Sequence, residues 1–94
     1  MIMVQSFALP EVIDHENVQT ILDQGLLMLS QMGSGDSLSV DCSKLTQFDS
    51  SALSLVMGLL RQAQPMSASI VLEKVPEKLR SLAQVYGVAE LVVA

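Results

Sequence analysis

The chain has 94 residues and no internal repeat, so its length fits one domain, residues 1–94, with one modest core. Half of the residues are hydrophobic, but only one Tyr and two Phe are aromatic, so the core must be aliphatic. Ten acidic and five basic residues give a formal net charge of −5. That balance argues against a nucleic-acid partner and against electrostatic binding to an anionic membrane.

The amino-terminal half predicts a strand, a helix and a second strand. Residues 3–9 form the first strand, and a helix follows with Asp14 as its N-cap and Gly33 as its end. The residues of its apolar face recur at three- and four-residue steps: Val18, Ile21, Leu22, Gly25, Leu26, Leu29 and Met32. Residues 38–42 alternate strictly, which predicts a strand with Cys42 on its buried face as an unreactive thiol.

The carboxyl-terminal half predicts two more helices around a third strand. One helix starts at the serines after Asp49 and runs to about Gln64, before a proline. Residues 68–72 form a short, largely buried strand, and Pro76 opens the last helix, whose core face ends at a tyrosine. Residues 91–94 are either a last edge strand or a loose end. The order predicts an α/β fold, a small mixed sheet of three to four strands with about three helices packed on it.

Several function classes find no support in the sequence. The apolar start at residues 1–4 is too short for a signal peptide, and no apolar run approaches the ~18 residues of a membrane-spanning helix. We therefore expect a cytoplasmic domain. One His and one Cys give no metal-ligand spacing, and no nucleophile-elbow pattern surrounds the serines. We expect no enzymatic activity, no metal and no cofactor.

The start of the second helix carries an acid and two hydroxyls: Asp49, Ser50 and Ser51. All three are good helix-start residues, so capping alone accounts for them. A second interpretation is that a serine here is phosphorylated. Free N–H groups at a helix N-terminus accept anions, and a charge of roughly −2 would change which partners bind.

The same helix is apolar on two sides. Leu53, Val56, Met57 and Leu60 form one side, which we expect to face the sheet, whereas Leu55 and Leu59 lie one turn apart on nearly the opposite side. Either a neighbouring helix covers Leu55 and Leu59, or this second stripe docks a partner protein.

The motif Asp49-Ser50-Ser51-Ala52-Leu53, preceded by a strand with Asp41 and by Phe48, resembles the signature of the STAS domain family. The resemblance covers residues 36 to about 92. Ala52 stands where the family usually has glycine. The segments 75–79 and 82–86 narrow the resemblance to the branch that serves as the STAS subunit of the bacterial lipid-asymmetry ABC transporter.

The resemblance implies an accessory subunit that binds the cytoplasmic ATPase of an ABC transporter moving phospholipid, and so sits at the inner membrane through its partner. The expected docking site combines Asp49, Ser50 and Ser51 with Leu55 and Leu59 as the apolar anchor, and we expect Lys78 and Tyr86 at its rim. The alternative branch is an anti-sigma factor antagonist, whose partner is a serine kinase. There the phosphorylated hydroxyl is the second after the acid, which matches Ser51.

Overall fold

The computed structural model describes residues 4–87. The tail at residues 91–94, predicted as a strand or a loose end, lies outside them. In chain order the elements are β1 (Val4–Ala8), β2 (Val12–Ile13), α1 (Val18–Ser30), β3 (Ser37–Asp41), β4 (Gln47–Phe48), α2 (Ser51–Ala63), a 3₁₀ turn (Gln64–Met66), β5 (Ser69–Glu73) and α3 (Glu77–Val85). The predicted α/β fold with three helices is confirmed. Within residues 4–87, no helix is both long and apolar enough to cross a membrane.

The strands form two separate parallel groups. The main sheet has the order β1-β3-β5, with Phe7, Val40 and Leu72 aligned across it. The second group pairs β2 with β4 in parallel, Val12 with Gln47 and Ile13 with Phe48. Every pair among the described strands is therefore parallel. The two-residue strands were absent from the sequence prediction, because so short a segment leaves no alternation to detect. Their pairing fixes Phe48 directly before the start of α2.

One face of the main sheet is buried beneath the helices and the other is not. Leu38, Val40 and Cys42 of the central strand region are 0 % exposed, as the alternation predicted, and burial raises the pKa of the Cys42 thiol to about 11. The expectation that residues 68–72 are largely buried is wrong. Among the strands of residues 4–87, β5 lies at one edge of the sheet. Leu72 is its one buried residue, and Val71 on the open face is 44 % exposed.

Helices α1 and α2 pack closely through glycines. A Cβ atom on Gly25 of α1 would lie 2.7 Å from Cδ2 of Leu59 and 3.1 Å from Cε2 of Phe7. In the opposite direction, a Cβ atom on Gly58 of α2 would lie 3.1 Å from Cδ1 of Leu22. Each helix thus presents a glycine to a leucine of the other, and the missing side chains let the two backbones approach.

We predict that Gly25→Ala destabilises the protein. The new methyl group would overlap Leu59, which is fully buried, and would also press on the buried Phe7 ring. Overpacking of this kind costs about 1–3 kcal/mol, against a helix-propensity gain of up to about 1 kcal/mol. We expect a net loss of about 1–2 kcal/mol in the free energy of unfolding, measured by urea denaturation.

Gly58→Ala is the matched control. Its methyl group would meet Leu22, which is only half-buried and can shift by a few tenths of an ångström. The same gain in helix propensity then dominates, so this variant should be at least as stable as the wild type. Equal losses in both variants would contradict the proposed packing asymmetry.

Candidate functional site

The start of α2 is held by the Asp49 carboxylate. The backbone N–H of Ser51 donates to Asp49 Oδ1 at 2.8 Å, and the Ala52 N–H donates to the Asp49 carbonyl at 3.1 Å. Ser50 occupies the N-cap position, but its hydroxyl makes no capping hydrogen bond. Asp49 therefore caps the helix as expected, and the Ser50 hydroxyl is left exposed at the surface.

This capping sets the protonation of Asp49. The backbone N–H of Ser51, followed by its hydroxyl, holds the pKa of the exposed Asp49 carboxyl below its ordinary value. His15 lowers the pKa of Asp49 further, as a smaller electrostatic contribution. Asp49, like any carboxylate with an ordinary pKa near 4, is ionised at neutral pH, and the lowered pKa extends this state to more acidic pH. It therefore acts as an acceptor only, which suits a structural cap.

The apolar anchor predicted at Leu55 and Leu59 is wrong. Both side chains are 0 % exposed, because α1 packs over this side of α2. Of the two interpretations of the double-sided helix, coverage by a neighbouring helix is the one that the structure shows. A charged residue at position 59 would lie in the core against Gly25 rather than at a partner surface.

The surface of α2 that remains open is a third face. Ser50 and Ser54 are exposed and Met57 is half-buried, at the i, i+4 and i+7 spacing of one helical stripe. Together with Leu53 and with Tyr86 at the end of α3, they line an open depression of about 320 Å³. We call these five residues the α2/α3 depression.

The structure brings together only part of the predicted site. Ser50 and Tyr86 share the α2/α3 depression, and Asp49 and Ser51 lie beside it at the helix start. Ser54 and Met57 were missed as site residues. Met57 was assigned to the sheet-facing side, although it is half exposed. The signal for Ser54 was present, since it is a polar residue one turn after Ser50 inside an otherwise apolar helix.

Lys78, predicted at the rim, contacts the loop before α2. Its Nζ donates to the Phe48 carbonyl at 3.2 Å and lies 5.0 Å from the centroid of the Phe48 ring. Lys78 therefore bridges the first turn of α3 and the end of β4.

The depression has the chemistry of a contact surface. It combines two serine hydroxyls with a thioether, a phenol ring and a buried leucine floor. Among residues 4–87, no group of three or more His, Cys, Asp or Glu side chains could hold a metal ion. Apolar area next to exposed hydroxyls is typical of the centre and rim of a protein–protein interface.

The Asp49 cap predicts a pH-dependent stability. A pKa lowered by folding means that ionised Asp49 stabilises the protein above its unfolded pKa of about 4. This contribution is lost as the pH falls through the lower pKa of the folded state. Asp49→Asn retains a good capping side chain that does not titrate. We expect the unfolding free energy of the wild type to rise relative to that of Asp49→Asn as the pH increases from about 3 to about 6.

The lowered pKa of Asp41, which accepts hydrogen bonds from Ser43, is common to both proteins and cancels in this comparison. Urea titrations of both proteins across this range provide the measurement. A difference that does not change with pH would contradict the assigned role of the Asp49 carboxylate.

A family model described as Mlab, STAS domain matches residues 5–93. No curated protein matches the chain. STAS domains are in general non-catalytic accessory or regulatory domains that interact with other proteins. The match spans nearly the whole chain, including the sheet, the Asp49-Ser50-Ser51 segment and α3, so the protein belongs to the MlaB-like STAS domain family.

Proposed function

We propose that the protein is an accessory subunit that binds and supports the ATPase of an ABC transporter, one that moves phospholipid to maintain the lipid asymmetry of the outer membrane. The family match over residues 5–93 is the observation that carries this proposal. The protein would be cytoplasmic and would reach the inner membrane only through its partner. It would act by stabilising the assembled ATPase, since a subunit that binds one state shifts the equilibrium towards that state.

The α2/α3 depression is the proposed docking surface. Tyr86 is 58 % exposed and lines the depression, so the end of α3 offers apolar area next to the stripe on α2. Tyr and Met are enriched at interfaces, and buried Tyr side chains often contribute most of the binding free energy. We therefore replace the original anchor, Leu55 and Leu59, by Met57 and Tyr86.

Ser50 is the proposed polar contact within this surface. Its hydroxyl is not used in capping the helix and is exposed at the edge of the depression. It can donate to and accept from a partner without any change at the start of α2. Asp49 would act indirectly, by holding the first turn in place.

The local geometry supports phosphorylation of Ser51, as in an anti-sigma factor antagonist, less well than it supports Ser50 as a contact to a partner. Ser51 is half-buried, and both its N–H and its hydroxyl lower the pKa of the adjacent Asp49. A phosphate there would bring a further charge of roughly −2 beside an ionised carboxylate. Binding of a serine kinase is therefore the alternative result that the binding experiment below would detect.

We predict that Ser54→Arg weakens binding to the transporter ATPase. The arginine would fill the depression and place a charge against its apolar floor, so Kd should rise by roughly tenfold or more. Ser50→Ala should weaken binding by a smaller factor, because it removes one hydrogen bond. Isothermal titration calorimetry with the purified ATPase measures both changes.

Thr20→Arg is the matched control, since Thr20 is an exposed position on α1, which contributes no residue to the depression. Its Kd should equal that of the wild type, and urea unfolding should show that all variants fold. Unchanged affinity in Ser54→Arg would exclude this surface as the docking site. Recovery of a serine kinase from cell extract, with phosphate on Ser51, would overturn the proposed function itself.

A further inference from the structure

We infer that Lys78 is a positioning residue that fixes the start of α2 relative to α3, and thereby sets the shape of the α2/α3 depression. The link to partner binding rests on the proposed function. The positioning itself is a property of the isolated protein and can be tested without any partner.

The contacts of Lys78 converge on one anchored residue. The Phe48 side chain is only 8 % exposed and belongs to the core, while its carbonyl marks the end of β4. Lys78 Nζ reaches both groups, the carbonyl at 3.2 Å and the ring centroid at 5.0 Å. A flexible surface lysine rarely keeps two such contacts unless the geometry is favourable to both, and a charged donor strengthens each of them.

The location of Lys78 in its own helix supports the same interpretation. Lys78 is the second residue of α3, in the first turn, where the helix macrodipole disfavours a positive charge. Considered alone, α3 would therefore be more stable with a neutral residue at this position. This unfavourable interaction with the macrodipole is offset by contacts outside the helix, with the Phe48 carbonyl and with the electron-rich face of the Phe48 ring.

The contact between Lys78 and Phe48 affects both walls of the depression, one formed by α2 and the other by the end of α3. Ser50 follows Phe48 by two positions, and Tyr86 lies about two turns beyond Lys78 along α3. Ser50 and Tyr86 line the depression from the start of α2 and the end of α3. The contact between Lys78 and Phe48 connects the amino-terminal ends of these two helices. Without this contact the first turn of α2 should open more often, because the segment before it would be held only by the Asp49 cap, the β2–β4 pairing and the burial of Phe48.

Hydrogen exchange tests the positioning role directly. The Ala52 and Ser54 amides donate to the carbonyls of Asp49 and Ser50, so their exchange rates report opening of the first turn of α2. Lys78→Met keeps the aliphatic stem and removes the charge. We expect exchange at Ala52 and Ser54 to accelerate about tenfold, the factor that corresponds to losing one charge-assisted hydrogen bond.

Three controls separate positioning from general destabilisation. The Gln64 amide, which donates to Leu60 at the far end of α2, should exchange at the wild-type rate in Lys78→Met. Arg80→Met removes the same charge from the same helix at an exposed position and should leave Ala52 and Ser54 unchanged. Lys78→Arg should restore protection, because arginine also donates to a carbonyl and stacks on an aromatic ring.

The inference is overturned if Ala52 and Ser54 exchange normally in Lys78→Met, if Gln64 accelerates equally, or if Arg80→Met has the same effect. Lack of rescue by Lys78→Arg would overturn it as well. Titration with the ATPase then separates the two proposals. Faster exchange in Lys78→Met supports the positioning role whatever the Kd of this variant, because a tenfold rise in a rarely populated open state leaves nearly all molecules able to bind. An unchanged Kd in Ser54→Arg contradicts the docking surface and leaves the positioning role intact.

Discussion

The close approach of α1 and α2 is the constraint on which the rest of the structure depends. Gly25 lies so near Leu59 that even a methyl group at this position would overlap it. A glycine inside a helix costs about 1 kcal/mol relative to alanine, and this cost is offset by the apolar area that the approach removes from water. As a result Leu55 and Leu59 are core residues, and α2 is covered on two sides, by the sheet and by α1.

Because the sheet and α1 cover two sides of α2, a third side remains exposed and is the one we propose for partner binding. On α2 that side begins at Ser50 and continues through Ser54 and Met57, and Tyr86 of α3 completes the surface. The three polar residues at the start of α2 have different roles. Asp49 caps the helix, Ser51 is bound to that cap, and the Ser50 hydroxyl is not used by the fold. The family to which the chain belongs has accessory and regulatory roles, and the proposed contact surface would suit such a role.

The periodic elements were predictable from the sequence, because helices and the central strand bury one regular stripe each. Leu38, Val40 and Cys42 showed this alternation, and it placed them correctly in the core. The face proposed for docking was not predictable in the same way. A helical wheel shows that Leu55 and Leu59 are apolar, but it does not show which neighbour covers them.

Two features of the sequence could have indicated the correct arrangement. Gly25 and Gly58 lie inside predicted helices, where glycine is costly and therefore suggests a close approach of two backbones. Ser54 interrupts the apolar helix at one turn from Ser50, which marks the exposed side. The contact between Lys78 and Phe48 had no sequence signal, since it joins residues 30 positions apart through a side chain and a backbone carbonyl.

The measurement that tests the central claim most directly is photo-crosslinking in cells from a benzoylphenylalanine placed at position 57, with position 20 on α1 as the reference. The account predicts an adduct with an ABC transporter ATPase from position 57 and none from position 20. An ATPase adduct from position 20 alone, or a serine kinase captured at position 57, would contradict it.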